Sequence, residues 1–519
     1  MLISDLPAIC AQQNGERTAL IFQGRTTSFA TLRDRCWRLS NALEALAARG
    51  DRVAILASNC TEYVECSWGV PGAGMILHLL NYRLAPPELA YVINDTEPTV
   101  VIVEAAHADL LASVLDRTPS VRQVVYIERS EGGRPAPLAA SAIAYEDLLA
   151  GASAVEPEHR GQETDIAWLL HTSGTTGVPK GAMLSHRNLT ASMMAAAIGF
   201  DWTDDDVALF MMPQFHMSNY IFGVYHLRNV PVVVSSAFEV SSYLATVQTY
   251  AVTTHAIAPT MVGMILDSPL TAAADLSSLR TMIYGASAMP VDTLIRARQR
   301  LPQVGFGGCY GMTELSGNVN YLTAADHQLG LDGKPEILLS AGRSLPGARV
   351  KVVDEGGRDC APGVAGEVVV QGDTVLEGYW RKPEATAEAF TGPWFHTGDI
   401  GRFDEAGRIY IVDRKKDMIL TGGENVYPRE VEELLYTHPD VAEVAVVGVA
   451  DARWGERVVA VVRLRGGAVC DEAALLDFCR PRIAGYKRPK AVVFQDDLPK
   501  NASGKILRRV LRDALQPDA

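Results

Sequence analysis

A basic surplus is missing from this 519-residue chain: 47 Lys and Arg stand against 61 Asp and Glu, a formal charge of −14. That excludes the broad cationic surface that non-specific nucleic-acid binding needs, so an anionic ligand must be held by locally placed donors. Paired cysteines are missing too. Cys10, Cys36, Cys60, Cys66, Cys309, Cys360, Cys470 and Cys479 show no metal-ligand or redox spacing. In a chain this long they read as free thiols of a reducing, cytoplasmic compartment. The start, MLISDLPAIC, has no basic segment before an apolar core, and the end, LQPDA, has no lipidation or peroxisomal signal. From Val240 to Leu266 Asp, Glu, Lys and Arg are all absent, a length that could span a bilayer. Ser241, Ser242, Gln248, Thr253, Thr254, His255 and Pro259 interrupt it at a cost in lipid. A buried helix and strand is the better reading, and no transmembrane segment is expected. The usual nucleotide loop, with Gly before its Lys and Ser or Thr after it, is also lacking. In LLHTSGTTGVPKGAMLSH, Leu169 to His186, Pro179 precedes Lys180 and Gly181 follows it.

What is present is ample core: 48% of residues are apolar and 21% charged, the balance of a soluble globular protein. Short apolar runs such as GDRVAILASN, PTVVIVEA, VRQVVYIE, DIAWLLHTSG and LRTMIYGA alternate with helical segments such as PPELAYVIND. This alternation predicts an α/β fold with a large N-terminal domain of mostly parallel sheets. After about residue 340 the texture changes to hairpins, in ARVKVVDEGGRDCAPGVAGEVVVQG and GRFDEAGRIYIVDR, which predicts a β-rich subdomain over 340–413. Beyond Asp413, PREVEELLYTH, VAEVAVVGV, RVVAVVRL and DEAALLDFCR predict a small α+β C-terminal domain.

The glycine-rich segment lies between two strand-like runs, so it is a strand-to-strand loop. It offers backbone N–H groups, the hydroxyls of Thr172, Ser173, Thr175 and Thr176, and the Lys180 ammonium, a set that can close over a polyphosphate. On composition alone an ordinary flexible turn explains it equally well.

The segment TSGTTGVPKG nevertheless resembles the phosphate-binding signature of the adenylate-forming enzymes: acyl-CoA synthetases, peptide-synthetase adenylation domains and beetle luciferases. YGMTE (Tyr310 to Glu314), WFHTGD (Trp394 to Asp399), VDRKKDMILTGGENVYPREVE (Val412 to Glu432) and NASGKILRR (Asn501 to Arg509) follow in family order. The resemblance spans nearly the whole chain. It implies that a carboxylate attacks the α-phosphate of ATP to give acyl-AMP and pyrophosphate, and that a thiol then displaces AMP. It assigns ATP contacts to Thr172, Ser173, Gly174, Thr175, Thr176, Gly177 and Lys180. Gly285, Ala286, Ser287, Tyr310 and Gly311 would border the adenine, on which Tyr310 stacks. Thr313 would bond the α-phosphate and Glu314 would hold Mg2+, a hard cation that takes oxygen ligands. Asp399 would accept from the ribose hydroxyls, with Arg414 supporting the sugar. Residues 1–413 form the large domain, 414–416 the hinge with Lys416 as pivot, and 417–519 the small mobile domain. TGGEN would lie on a strand beside the thiol channel, Gly422, Gly423 and Glu424 facing the CoA arm. YKRPK and KILRRVLR could meet CoA phosphates; solvated surface charge explains them equally well.

The segment MMPQFHMSNYIFGVYHL matches the family's acyl-pocket region. His216 stands where amino-acid-activating relatives carry Asp, which argues against an amino-acid substrate. His216, Tyr220, Thr260, Met261, Gly308, Cys309 and Met312, with Met264, are the expected pocket residues. The lining is apolar and adaptable, suited to a fatty, alicyclic or aryl acid, with a medium- to long-chain acid or a bulkier hydrophobic acid favoured. Arg228 and Asn229 fall where the family usually has Gly, and Arg228 is expected at the surface.

The resemblance therefore implies an AMP-forming acyl-CoA synthetase acting on a small-molecule carboxylic acid; a homodimer is possible. The alternatives are delivery to a carrier-protein thiol or an amine, and a non-catalytic nucleotide scaffold. A scaffold should have lost Lys505, Glu314 or Asp399, and all three are present. The first step brings a carboxylate to about 3 Å from a phosphate, a repulsion of about 5 kcal/mol at an effective dielectric near 20. The resemblance places Lys505 between the two. Lys505→Ala is expected nearly to abolish acyl-AMP formation and to spare thioester formation from supplied acyl-AMP. Equal loss in both half-reactions would remove this role.

Overall fold

Apolar runs unbroken by polar alternation can form strands only where both faces are covered. In the computed structural model, which describes residues 1–128, 135–136, 138–158, 161–172, 179–451, 453–500 and 506–516, they do so. Strands Arg52–Leu56, Ile76–Leu79, Val100–Glu104, Gln123–Ile127 and Ile166–Thr172 run parallel in an eight-stranded sheet. Every residue of Val100–Glu104 is buried. At one end Lys180–Ser185 folds back antiparallel on Ile166–Thr172, pairing His171 with Gly181 and Thr172 with Lys180. Gly378–Tyr379, from much later in the chain, adds outside it. The Ser185 side chain then accepts from the Asn188 N–H and caps helix His186–Gly199, as a serine at this position should.

A nine-stranded sheet carries Thr18–Phe22, Val232–Val234, Ala208–Phe210, Thr254–Ile257, Thr281–Tyr284 and Gly305–Met312 in parallel. Gly317–Leu322 closes antiparallel on Gly305–Met312. One continuous core joins the two sheets, from Val53, Trp68 and Trp168 to Phe210, Tyr220 and Tyr225. Helix Thr61–Gly72 is buried nearly all round, the pattern of a helix enclosed on every side. Gly69 is required in it: a Cβ there would stand 2.9 Å from the Cys36 carbonyl oxygen of the neighbouring helix Phe29–Leu43.

The uncharged stretch from Val240 resolves into helix Val240–Tyr250, strand Thr254–Ile257 and helix Pro259–Asp267. Among the described residues no helix is long and apolar enough to cross a membrane. Asn229 takes φ +53° just after helix Ile221–Leu227. Asparagine tolerates this left-handed conformation better than most residues, so it stands in for the glycine usual there, and Arg228 is half-exposed.

The hairpin texture forms a separate five-stranded antiparallel sheet of Ala348–Val353, Gly366–Gly372, Phe390–Thr391, Trp394–Phe403 and Ile409–Arg414. Beyond it, Ile419–Thr421, Glu424–Val426, Val441–Asp451, Gly455–Leu464 and Ala491–Phe494 make a fourth sheet. Helices Pro428–Tyr436, Glu472–Cys479 and Arg508–Leu515 accompany it.

The expectation that KILRRVLR meets CoA phosphates fails at Arg508. Its guanidinium lies 2.7 Å from Glu432, 3.4 Å from Asp417 and 3.6 Å from Asp413. Burial opposes its charge, but these carboxylates outweigh burial and push its pKa up. Arg508 thus ties the last helix to both flanks of the 414–416 segment. Removing it leaves carboxylates without their cation, a change that costs about 3–5 kcal/mol when such groups are buried. Arg508→Ala is expected to lower the C-terminal unfolding transition in calorimetry by several degrees, with Arg508→Lys intermediate.

Candidate active site

Strand Gly305–Met312 delivers the central residues. It leads into a single 3-10 turn, Thr313–Leu315, which leaves Thr313 and Glu314 half-buried. The Glu314 carboxylate accepts from the Tyr379 hydroxyl at 3.2 Å, and its carbonyl accepts from the Leu376 N–H at 2.9 Å. The Lys180 ammonium stands 5.2 Å from the centre of the same Tyr379 ring. Lys180, Tyr379 and Glu314 thus converge from three separate parts of the chain. Tyr379 was not expected here: a tyrosine in the run LEGYWRKPE reads as an ordinary core residue. Thr172 is half-buried beside Lys180 across the strand pair. Ser173, Gly174, Thr175, Thr176 and Gly177 lie outside the described residues, as does Lys505.

Asp399 is 3% exposed. It accepts from the Tyr310 hydroxyl at 2.7 Å and pairs with the Arg414 guanidinium at 3.0 Å. Asp399 and Arg414 face each other across adjacent strands, so their pairing follows from register. Burial pushes the Tyr310 hydroxyl pKa well up, and the neighbouring Asp399 adds to it, so this phenol remains a donor. Burial works against the Arg414 charge, yet Asp399 chiefly, with other negative neighbours, holds its pKa above the ordinary value. Gly285, Ala286 and Ser287 follow strand Thr281–Tyr284, which pairs with Gly305–Met312. Ala286 has φ +68°, and with Ser287 it is exposed. The turn therefore presents open backbone next to the strand that carries Tyr310 and Gly311.

Three of the expected pocket residues, Gly308, Cys309 and Met312, lie on this strand. Cys309 is half-buried on the core, as are Met261 and Met312. A Cβ on Gly308 would meet the Tyr284 ring at 2.9 Å, so only glycine leaves that ring its place. Tyr220 is 2% exposed and its hydroxyl accepts from the Asn318 side chain at 2.7 Å. Thr260 is half-buried. Met264, expected in the pocket, is 54% exposed; it lies on the solvent side of helix Pro259–Asp267. The His216 ring is tilted at 37° to that of Phe215, with centres 5.0 Å apart, and the Arg83 guanidinium stands 5.9 Å from the Phe215 ring centre. Burial, and then Arg83, push the His216 pKa down to about 4.

Lys416 is exposed in a turn that closes with the Asp417 N–H on the Arg414 carbonyl at 2.9 Å. TGGEN does not lie along one strand. Gly422 and Gly423 form the two-residue turn between Ile419–Thr421 and Glu424–Val426, with φ +61° and +86°. Positive φ at both positions is the type I′ requirement, so turn geometry by itself accounts for both glycines. Glu424 is exposed at its rim.

The family model described as AMP-binding enzyme matches residues 8–380, and that of the AMP-binding enzyme C-terminal domain matches 430–505. The chain is 37% identical over 511 residues to a feruloyl-CoA synthase of an Amycolatopsis species, covering 98% of this chain and 97% of that one. It is 35% identical to the fatty acid–[acyl-carrier-protein] ligase ScoC of Streptomyces coeruleorubidus, covering 98% and 95%. The ATP-bound crystal structure of MatB from Rhodopseudomonas palustris superposes with a TM-score of 0.87 at 31% identity, over 99% of each chain.

With its pKa held near 4 the His216 ring is neutral throughout the working pH range. His216→Asn is therefore expected to alter the relative rates of different acids. The shape of the pH–rate profile between about pH 5.5 and 9 should stay unchanged. Loss of a limb near pH 6.5 would mean that the ring titrates in function.

Proposed function

The chain belongs to the AMP-binding enzyme family, whose matched regions extend from residue 8 to residue 505, and from that membership we propose that it activates a compact aryl acid and passes it to CoA. The type of reaction is that of its relatives: an ATP-dependent acid–thiol ligase working through an acyl-adenylate. The proposal concerns the acid, the acceptor and the work of each side chain.

The observation that carries the choice of acid is Tyr220. It is buried near Cys309, and Asn318 donates to its oxygen. The hydroxyl proton is thereby left to a ligand acceptor. A ring acid with an oxygen substituent supplies one, and the apolar surroundings of Met261, Cys309 and Met312 take the ring. A long alkyl chain would reach the buried phenol with nothing to bond. The feruloyl-CoA synthase relative supports this reading.

Nucleotide binding falls to Asp399 and Arg414 at the ribose, Tyr310 and Gly285–Ser287 at the base, and Thr172 and Lys180 at the phosphates. Thr313 donates to the α-phosphate, where charge develops on attack. Glu314 fits Mg2+ by donor chemistry: it is a half-buried carboxylate that accepts from the Tyr379 hydroxyl. Bound there, the ion would neutralise phosphate charge. Lys505 offsets the repulsion between carboxylate and phosphate. Lys416, exposed between the ion pair at Arg414 and the small domain, is the pivot that exchanges Lys505 for the thiol channel.

The test is AMP formation, with and without CoA, from cinnamic, 4-hydroxycinnamic and ferulic acids beside straight-chain acids from hexanoic to palmitic. An acyl-carrier-protein serves as the alternative acceptor. Ring acids are expected to exceed the fatty acids by at least about 10-fold in kcat/KM. Tyr220→Phe should lower the oxygen-substituted ring acids by about 10-fold or more and spare cinnamate, because an unpaired buried polar group is what discriminates. A palmitate preference overturns the choice of acid. AMP release that responds to the carrier protein and not to CoA overturns the acceptor.

A further inference from the structure

Directly before Thr172, the His171 side chain enters a chain of buried polar groups that no step of the reaction uses. The Thr96 hydroxyl lies 2.9 Å from His78 Nδ1, and His78 Nε2 lies 3.0 Å from His171 Nδ1. His171 Nε2 in turn lies 3.1 Å from Asp95 Oδ2. The other Asp95 oxygen accepts from the Lys382 ammonium at 3.1 Å, and the Asp95 carbonyl accepts from the Trp380 indole at 3.1 Å. His78 and Thr96 are fully buried, and the His171 and Asp95 side chains are 9% and 11% exposed. One proton per ring makes every contact of this chain when the Thr96 hydroxyl turns from the Val92 carbonyl to His78. Thr96 donates to His78, His78 Nε2–H donates to His171, and His171 Nε2–H donates to Asp95. All donors point the same way, an arrangement in which each bond polarises the next. Burial opposes the charge on Asp95, but the bonds from His171 and Lys382 outweigh it and hold the carboxyl below its ordinary range.

The two sides of Asp95 lead to different parts of the site. Through His171 it holds the strand that ends in Thr172, opposite Lys180. Through Lys382 and Trp380 it holds the segment that continues from Tyr379, whose hydroxyl bonds Glu314. The Trp380 backbone N–H donates to the Gly181 carbonyl at 2.8 Å, next to Lys180.

We propose that Asp95 is a positioning residue for MgATP, which, with His171 and Lys382, clamps the Thr172–Lys180 pair in register with the Tyr379–Glu314 contact. Asp95 touches no substrate; it fixes the groups that do, as outer partners fix metal ligands. The inference rests on the reading of Thr172, Lys180 and Glu314 as the polyphosphate and metal end of the ATP site.

Calorimetric titration of the full-length protein with MgATP and, separately, with AMP tests it without any choice of carboxylic acid. AMP lacks the β- and γ-phosphates and rests on Tyr310 and Asp399. Asp95→Ala is therefore expected to weaken MgATP by about 10-fold or more, in the range of lost outer partners, and to leave AMP within about twofold. Lys382→Met, at a partly exposed position, cuts only the Tyr379 side. It should weaken MgATP about threefold with AMP unchanged, and it carries the test if Asp95→Ala does not fold. Asp95→Asn can keep every contact by reversing the protons. Its amide then donates to His171, His171 to His78 and His78 to Thr96, whose hydroxyl turns to the Val92 carbonyl 3.0 Å away. It is expected to stay close to the unaltered protein. Equal weakening of MgATP and AMP would make Asp95 a general buttress of the fold, and unchanged MgATP affinity in both Asp95→Ala and Lys382→Met would remove the clamp. If the unaltered protein binds AMP but not MgATP, the polyphosphate reading itself fails and the proposal with it.

Discussion

The carboxylate of Asp399 is the point at which three parts of the molecule are fastened together. Tyr310 reaches it from the nine-stranded sheet, Arg414 from the adjacent strand of the β-rich sheet, and the small C-terminal sheet begins a few residues after Arg414. A carboxylate this deeply buried is costly to hold in isolation. A phenol donor and a guanidinium on its two oxygens make it tolerable, and they fix it in place. The relative placing of Tyr310, Asp399 and Arg414 and the start of the 414–416 segment both follow from that single arrangement.

Charge economy explains much of the rest. In a chain with a formal charge of −14, several positive groups near the site are held by carboxylate partners. Arg508, on a helix that reads as basic, is held internally by Glu432, Asp413 and Asp417. Lys382 is bound to Asp95. Lys180 differs: its ammonium stands over an aromatic ring, and among the described residues no carboxylate lies within salt-bridge distance of it. Buried ion pairs contribute little net stability. Their value here is positional, since the groups of the candidate site come from segments far apart in the sequence.

Glycine marks the same division between local and distant causes. Gly422 and Gly423 answer to their own turn, whose backbone demands positive φ at both positions. Gly308 answers to Tyr284 on the neighbouring strand, and Gly69 to a carbonyl of another helix. The first kind is visible in a short stretch of sequence as a Gly-Gly between strand-like runs. The second kind is not, because its cause lies in a part of the chain with no sequence relation to it.

The α/β alternation, the hairpin region and the strand-to-strand setting of the phosphate signature were legible because each depends on local pattern: apolar runs, turn residues and the Ser185 cap. The candidate residues Glu314, Asp399 and Arg414 were legible only through their ordered resemblance to a family, since a lone Asp after Gly or Glu after Thr carries no chemistry by itself. Tyr379 and the Asp95–His171–His78 chain could not be read at all. A tyrosine in a strand, a histidine before a loop and an aspartate near a helix end are each unremarkable residues. They acquire roles when sheet topology sets Gly378–Tyr379 against Lys180–Ser185 and parallel pairing sets Ile76–Leu79 beside Ile166–Thr172. Hydrogen bonds act over about 3 Å, so which side chains share one is decided by how the strands are ordered in space. The sequence by itself determined the elements and the reaction family; the tertiary structure decided which side chains of the candidate site bond to one another.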